Sequence, residues 1–124
     1  MQTQQKKVLI IDDDSRNIFA LKAVLTAKKY TCLAANGAQE GIDILKKNED
    51  IAVVLLDMMM PDLDGYQAMA KMKKDEKLKD VPVIAVTAQA MLGDKERCLE
   101  AGAVGYVSKP VNVDELIKLL NNYL

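Results

Sequence analysis

Four groups of polar residues close apolar runs in this 124-residue chain. Asp12-Asp13-Asp14 follows VLII, Asp57 follows IAVVLL, Thr87 follows VPVIAV, and Ser108-Lys109-Pro110 follows a run ending at Val107. Each group alone has a plain explanation. An acidic triplet serves as a solvated turn and helix cap, a threonine after a strand as a turn residue, and a lone lysine as a solvated charge. Asp57 is harder to set aside, because a charge abutting a buried run needs a partner or a purpose. Taken together the groups are more specific. Carboxylates gathered at one place repel one another and require a cation. The chain has no histidine, so the ligands are oxygens and the cation is a hard one, magnesium or manganese. Lys109 adds a positive charge and Thr87 a hydroxyl donor. A carboxylate nucleophile, a divalent metal, a lysine and a hydroxyl suit phosphoryl transfer.

These groups meet only if the chain brings distant strand ends to one rim. Val8 to Ile11, Tyr30 to Ala34, Ile51 to Leu56, Val81 to Val86 and Val104 to Val107 read as short strands. Three of them are continuous rather than alternating, as in strands covered on both faces. Helical periodicity lies between them: Ile18, Leu21 and Leu25 share a face, as do Ala38, Ile42 and Leu45, and Val113, Leu116, Ile117 and Leu120. Met69 and Met72 mark a helix after Asp64-Gly65. Leu92, Cys98 and Leu99 mark another, which Gly102 closes. Lysine pairs at 28–29, 46–47 and 73–74 fall near helix C-termini, where positive charge suits the dipole. The order βαβαβαβαβα with right-handed crossovers predicts an α/β fold, a parallel five-stranded sheet with helices on both faces. Its reactive crevice belongs at the carboxyl ends of the strands.

Composition narrows the function. With 17 Lys+Arg against 18 Asp+Glu and a net charge of -1, the chain lacks the basic surplus that direct nucleic-acid binding needs. Zero histidine excludes imidazole catalysis, His-containing zinc sites and a phosphohistidine donor role. Cys32 and Cys98 are too few for a disulfide framework and read as buried, reduced thiols. The N-terminus has no signal-peptide pattern, and no segment reaches the ~20 apolar residues of a membrane span. A soluble, cytoplasmic domain without membrane insertion is expected. GxxxxGK[ST] and GxGxxG are both missing, which excludes P-loop and dinucleotide enzymes.

VLIIDDDSRN, LLDMMMPDLDG, VIAVTAQA and GYVSKP, in this order and strand context, resemble the four motif blocks of response-regulator receiver domains of two-component and phosphorelay signalling. The resemblance covers essentially the whole chain, read as one receiver domain over 1–124 with no output domain. It implies the flavodoxin-like doubly wound sheet with strand order 2-1-3-4-5. It implies that Asp57 is the phospho-acceptor, that Asp12 and Asp13 bind magnesium together with Asp57 and the backbone carbonyl of Met59, and that Thr87 and Lys109 contact the phosphoryl group. Ala88 is small enough to leave room there. The Lys109–Pro110 bond would be cis and would aim the lysine. Tyr106 matches the switch aromatic that turns inward when Thr87 is drawn to the phosphate. Asp14 has no ligand role in the pattern and reads as helix-start charge; Asp62, Asp64 and Gly65 read as cap and turn. Met58-Met59-Met60 reads as partly exposed loop packing, or else as a partner contact. Met59 and Gln89 flank the path of attacking water and are not acidic, so slow self-dephosphorylation is expected.

The implied partners are a sensor histidine kinase or histidine phosphotransfer protein as donor and a downstream protein as target. The output is read on the face of the fourth helix, fifth strand and fifth helix. The chain would not be a conventional enzyme but would catalyse its own aspartyl phosphorylation and dephosphorylation. A haloacid-dehalogenase-type phosphatase needs an acid where Met59 stands, and a flavodoxin-like electron carrier needs aromatics that are scarce here. A constitutive, phosphorylation-independent interaction module of the same fold is the alternative. The family pattern would then lack its nucleophile, acid pair, Thr or Lys, and this chain has them all.

Overall fold

A computed structural model of the chain describes residues 7–60, 64–88 and 93–124. In chain order they form β1 (Lys7–Ile11), α1 (Ser15–Ala27), β2 (Thr31–Ala35), α2 (Ala38–Lys47), β3 (Ile51–Asp57), α3 (Gly65–Lys73), β4 (Val83–Thr87), α4 (Asp94–Glu100), β5 (Gly105–Ser108) and α5 (Val113–Leu120). The strands make one sheet in the order β2-β1-β3-β4-β5, and every pairing is parallel. The alternation of elements predicts the parallel sheet, and its order is that of the flavodoxin-like doubly wound fold that the family resemblance implies.

Continuous apolar strands follow from the two cores they separate. Leu9, Ile11, Val54, Leu56, Val83 and Ala85 point to one side, where α2, α3 and Cys98 of α4 cover them. Val8, Ile10, Val53, Leu55, Ile84 and Val86 point to the other, under α1 and α5. Alternate residues thus serve opposite faces, and neither face is left for water.

Several boundaries move by a residue or two from their expected places. Strand β4 begins at Val83, not Val81. Pro82 has no N–H for the ladder, although its carbonyl still accepts from the Val54 N–H at 2.9 Å. Strand β2 begins after Tyr30, whose N–H donates to the Leu25 carbonyl at 3.0 Å and closes α1 instead. Strand β5 begins after Val104, which is 43% exposed, and β3 runs on through Asp57. In α4, Cys98 is buried but Leu99 is 41% exposed, so only one of the two points inward. Leu92 lies outside the described residues. Gly102 does end this helix: at φ +115° it lets its N–H reach the Leu99 carbonyl and the Ala103 N–H reach that of Cys98, both at 3.0 Å.

The starts of α1, α3 and α5 are capped by the polar residues that precede them. Asp14 accepts from the Arg16 N–H at 2.9 Å. Asp64 accepts from the Gln67 N–H at 2.9 Å, and the Gln67 side chain accepts from the Asp64 N–H at 3.1 Å. Asn112 caps α5 by accepting from the Glu115 N–H at 3.1 Å. At the opposite pole Lys46 and Lys47 occupy the last turn of α2, Lys73 that of α3, and Lys28 and Lys74 the C-caps of α1 and α3.

Lys29, just past α1, sits at φ +73°, a left-handed conformation in which a Cβ is costly. Replacing it by glycine, Lys29→Gly, relieves that cost at the position where helices ordinarily place glycine. The variant is expected to be more stable by about 0.5–1 kcal/mol in urea unfolding.

Candidate functional site

Parallel pairing brings the strand ends together, and the sheet's hydrogen bonds run one residue past them. The Asp12 N–H donates to the Ala35 carbonyl at 3.1 Å, the Met58 N–H to Val86 at 2.9 Å, and the Lys109 N–H to Thr87 at 2.8 Å. Residues just beyond the strands are therefore held as firmly as the strands. Residues 58–60, directly after Asp57, are fixed from both sides. Met58 and Met60 are buried in the core beneath α2 and α3, and a Cβ on Gly65 would come within 2.8 Å of the Met58 Cα. Only glycine lets α3 start so close to this loop. The methionine run thus divides: its outer two residues anchor the loop, and Met59 stands 49% exposed at the rim.

Asp12, Asp57 and Thr87 are buried, at 2%, 4% and 1% exposure, while Asp13 is exposed. Carboxylate oxygens of Asp12, Asp13 and Asp57 all lie within 4.8 Å of one another. Asp12 Oδ1 accepts from the Asp14 N–H at 2.9 Å, and Asp57 Oδ1 from the Met59 N–H at 3.0 Å. The other oxygen of each faces Lys109, whose Nζ is 3.3 Å from Asp12 Oδ2 and 3.7 Å from Asp57 Oδ2. The Lys109–Pro110 bond is cis. Burial, reinforced by the neighbouring Asp12 charge, raises the Asp57 pKa to about 6 against the opposing pull of the Met59 N–H and Lys109.

Three carboxylates and one ammonium group leave this rim short of positive charge. Its donors are hard oxygens, with no histidine in the chain and both thiols buried elsewhere in the cores. The set fits a small divalent cation, magnesium first and manganese next. Farther along the rim, the half-buried Tyr106 donates from its hydroxyl to Asp94 Oδ2 at 3.3 Å, and Tyr66 of α3 donates to Asp94 Oδ1 at 3.3 Å. Tyr66 and Asp94 carried no signal in the sequence, because nothing in it says that α3 and α4 present these groups to each other. Asp62 and Gln89 lie outside the described residues.

A doubly wound sheet with this acidic rim and lysine defines a signalling receiver of flavodoxin-like fold. The chain belongs to the response regulator receiver domain family, which it matches over residues 8–121. It is 33% identical over 119 residues to the polar-differentiation response regulator DivK of Brucella ovis, covering 96% of both chains. It superposes with TM-score 0.86 and 29% identity on the receiver domain of a Pseudomonas aeruginosa sensor histidine kinase, covering 97% of this chain and 98% of that one. That structure holds a magnesium ion coordinated in its active-site cleft. A Saccharomyces cerevisiae receiver domain, solved in complex with a histidine phosphotransfer signalling protein, gives TM-score 0.84 and 26% identity over 99% of this chain and 91% of that one.

A raised Asp57 pKa has a consequence for metal-free protein. The folded state prefers the protonated carboxyl, so its stabilising contribution is complete below about pH 4 and is lost as pH rises through about 6. Asp57→Asn removes the charge and keeps the shape. In chelator, the variant is expected to match the parent near pH 4 and to exceed it at pH 8 by about 1–3 kcal/mol in urea unfolding.

Proposed function

We propose that this receiver accepts a phosphoryl group on Asp57 from a partner phosphohistidine and passes the signal on as a change of surface. The buried Asp57 carboxylate, sharing Lys109 with Asp12, carries the proposal. An Oδ of Asp57 attacks phosphorus in line as the P–N bond breaks, its electron pair leaving with the imidazole, and an acyl phosphate results. Asp12, Asp13, Asp57 and the Met59 carbonyl would hold magnesium, or manganese, which when bound neutralises charge on the transferring oxygens. Lys109 is near enough to Asp57 to turn from the carboxylates to a phosphoryl oxygen, and it orients the group through a charge-assisted hydrogen bond. The Thr87 hydroxyl lies at the end of the adjacent strand β4 and supplies a further donor.

Phosphorylation adds ~1.5–2 negative charges and three acceptor oxygens to the rim. Thr87 is drawn toward them, Tyr106 moves into the space it leaves, and the α4–β5–α5 face changes. Moving such an equilibrium from 1:99 to 99:1 takes ~5.5 kcal/mol. Several charge-assisted hydrogen bonds at ~1.5–3 kcal/mol each can supply it.

The donor, a sensor histidine kinase or histidine phosphotransfer protein, has to land around the rim. A groove of about 250 Å³ adjoins Lys109 there, lined by Leu21, Val24, Pro110 and Val111. Phe19 on the same helix is 77% exposed. These apolar surfaces support the docking of a donor protein on α1 and the start of α5. One sheet with both faces covered supports reading residues 1–124 as one receiver unit. Among the described residues no helix is long and apolar enough to cross a membrane, which is consistent with work in the cytoplasm.

Acetyl phosphate with magnesium is expected to add one phosphoryl group to the parent by intact mass and none to Asp57→Asn. Stoichiometric labelling of the variant would remove Asp57 as acceptor. An unlabelled parent that also binds no beryllofluoride would favour a phosphorylation-independent module. Lys109→Ala is expected to retain magnesium binding within about tenfold while losing the beryllofluoride-induced NMR shifts on α4, β5 and α5.

A further inference from the structure

The Asp94 carboxylate does more than begin a helix. Its two oxygens receive the hydroxyls of two tyrosines from different elements, Tyr66 of α3 on Oδ1 and Tyr106 of β5 on Oδ2, both at 3.3 Å. The Tyr66 side is held by two further contacts. The Arg97 guanidinium lies 4.9 Å from the centre of its ring, and Cys98 Sγ is 3.5 Å from its hydroxyl. Burial, with the Asp94 charge adding to it, raises the pKa of Tyr106, and burial with the Cys98 contact raises that of Tyr66. Both hydroxyls therefore stay protonated and keep donating.

We propose that Asp94 is a positioning residue for the switch. Braced by Tyr66, it holds the Tyr106 hydroxyl at α4, so that Tyr106 moves inward only by giving up its bond to the carboxylate. The inference rests on the reading of Thr87 and Tyr106 as a phosphorylation switch and assigns the contact that opposes switching. A charged acceptor makes the Tyr106 bond stronger than one between neutral groups at the same 3.3 Å separation. Its loss has to be outweighed by the phosphoryl contacts, so the clamp sets how much phosphorylation must contribute. It also joins α3 to α4 and β5, which the main-chain ladder does not do.

A purely local role is the competing possibility. An acid in the first turn of α4 suits the helix dipole, and the Gly93 N-cap brings no side-chain hydrogen bond. That role predicts a less stable helix and an unchanged Tyr106 ring. The test compares the parent with Asp94→Ala, Asp94→Asn and Tyr66→Phe, reading the Tyr106 χ1 populations by NMR in free protein and the affinity for beryllofluoride with magnesium. The expected result is a shift of Tyr106 toward the inward rotamer in free Asp94→Ala and a smaller shift in Asp94→Asn, which keeps one acceptor. Beryllofluoride affinity should rise about 3- to 10-fold in Asp94→Ala and about twofold in Tyr66→Phe. Tyr66→Phe added to Asp94→Ala should have no further effect. Unchanged Tyr106 rotamers in Asp94→Asn and Tyr66→Phe, both of which keep the parent's shape, overturn the clamp. Because the ring is read in free protein, it decides this point even if the parent fails to bind beryllofluoride, a failure that counts against the phosphoryl reading alone.

Discussion

Two carboxylates share one lysine below the surface of this domain, and the rest of the structure is arranged around that condition. Asp12 and Asp57 are almost completely removed from water, yet each has one oxygen satisfied by a backbone N–H and the other directed at Lys109. Removing charge from water costs far more than a single imperfect ion pair returns. The arrangement is therefore left unbalanced, with Asp57 pushed toward the protonated state by burial and by Asp12. A site short of positive charge is one that a cation completes, and one whose balance the proposed conversion of the Asp57 carboxylate to an acyl phosphate would change.

Holding such a site open requires rigidity, and the two cores provide it. The strands leading to Asp12, Asp57 and Thr87 are buried on both faces, so these side chains cannot withdraw without disturbing packing on both sides of the sheet. Residues 58–60, after Asp57, add a second restraint. Met58 and Met60 are anchored beneath α2 and α3, and Gly65 lets α3 press against Met58. The side away from α1 and α5 also carries the Asp94 cluster, where side chains of α3, α4 and β5 meet.

Most of the fold was legible because continuous β-branched runs, 3.6-residue periodicity and capping residues agree with one another. The rim was legible for a related reason: in a parallel sheet the carboxyl ends of the strands share one edge, so Asp12, Asp57, Thr87 and Lys109 could be assigned to that edge once the strands were read as parallel. Boundaries were less clear where local chemistry intervened, as with the missing N–H of Pro82 or the use of the Tyr30 N–H to close α1. Lateral side-chain meetings were hidden altogether. Nothing in the spacing of Tyr66, Asp94 and Tyr106 encodes that three elements offer them to one point, and Leu99 has the pattern of a core residue while facing outward.

Parallel strands and antiparallel return helices also sort charge by pole. Asp12, Asp13, Asp14, Asp57 and Asp64 gather where the strands end, while Lys28, Lys46, Lys47, Lys73 and Lys74 gather where the helices end. A molecule with a formal charge of -1 is thereby strongly polarised along the sheet axis. Its encounters are governed by torque more than by net attraction: the field of a charged partner turns the domain before contact and presents one pole first. Orientation is thus selected during diffusion, at distances where no side chain has yet touched.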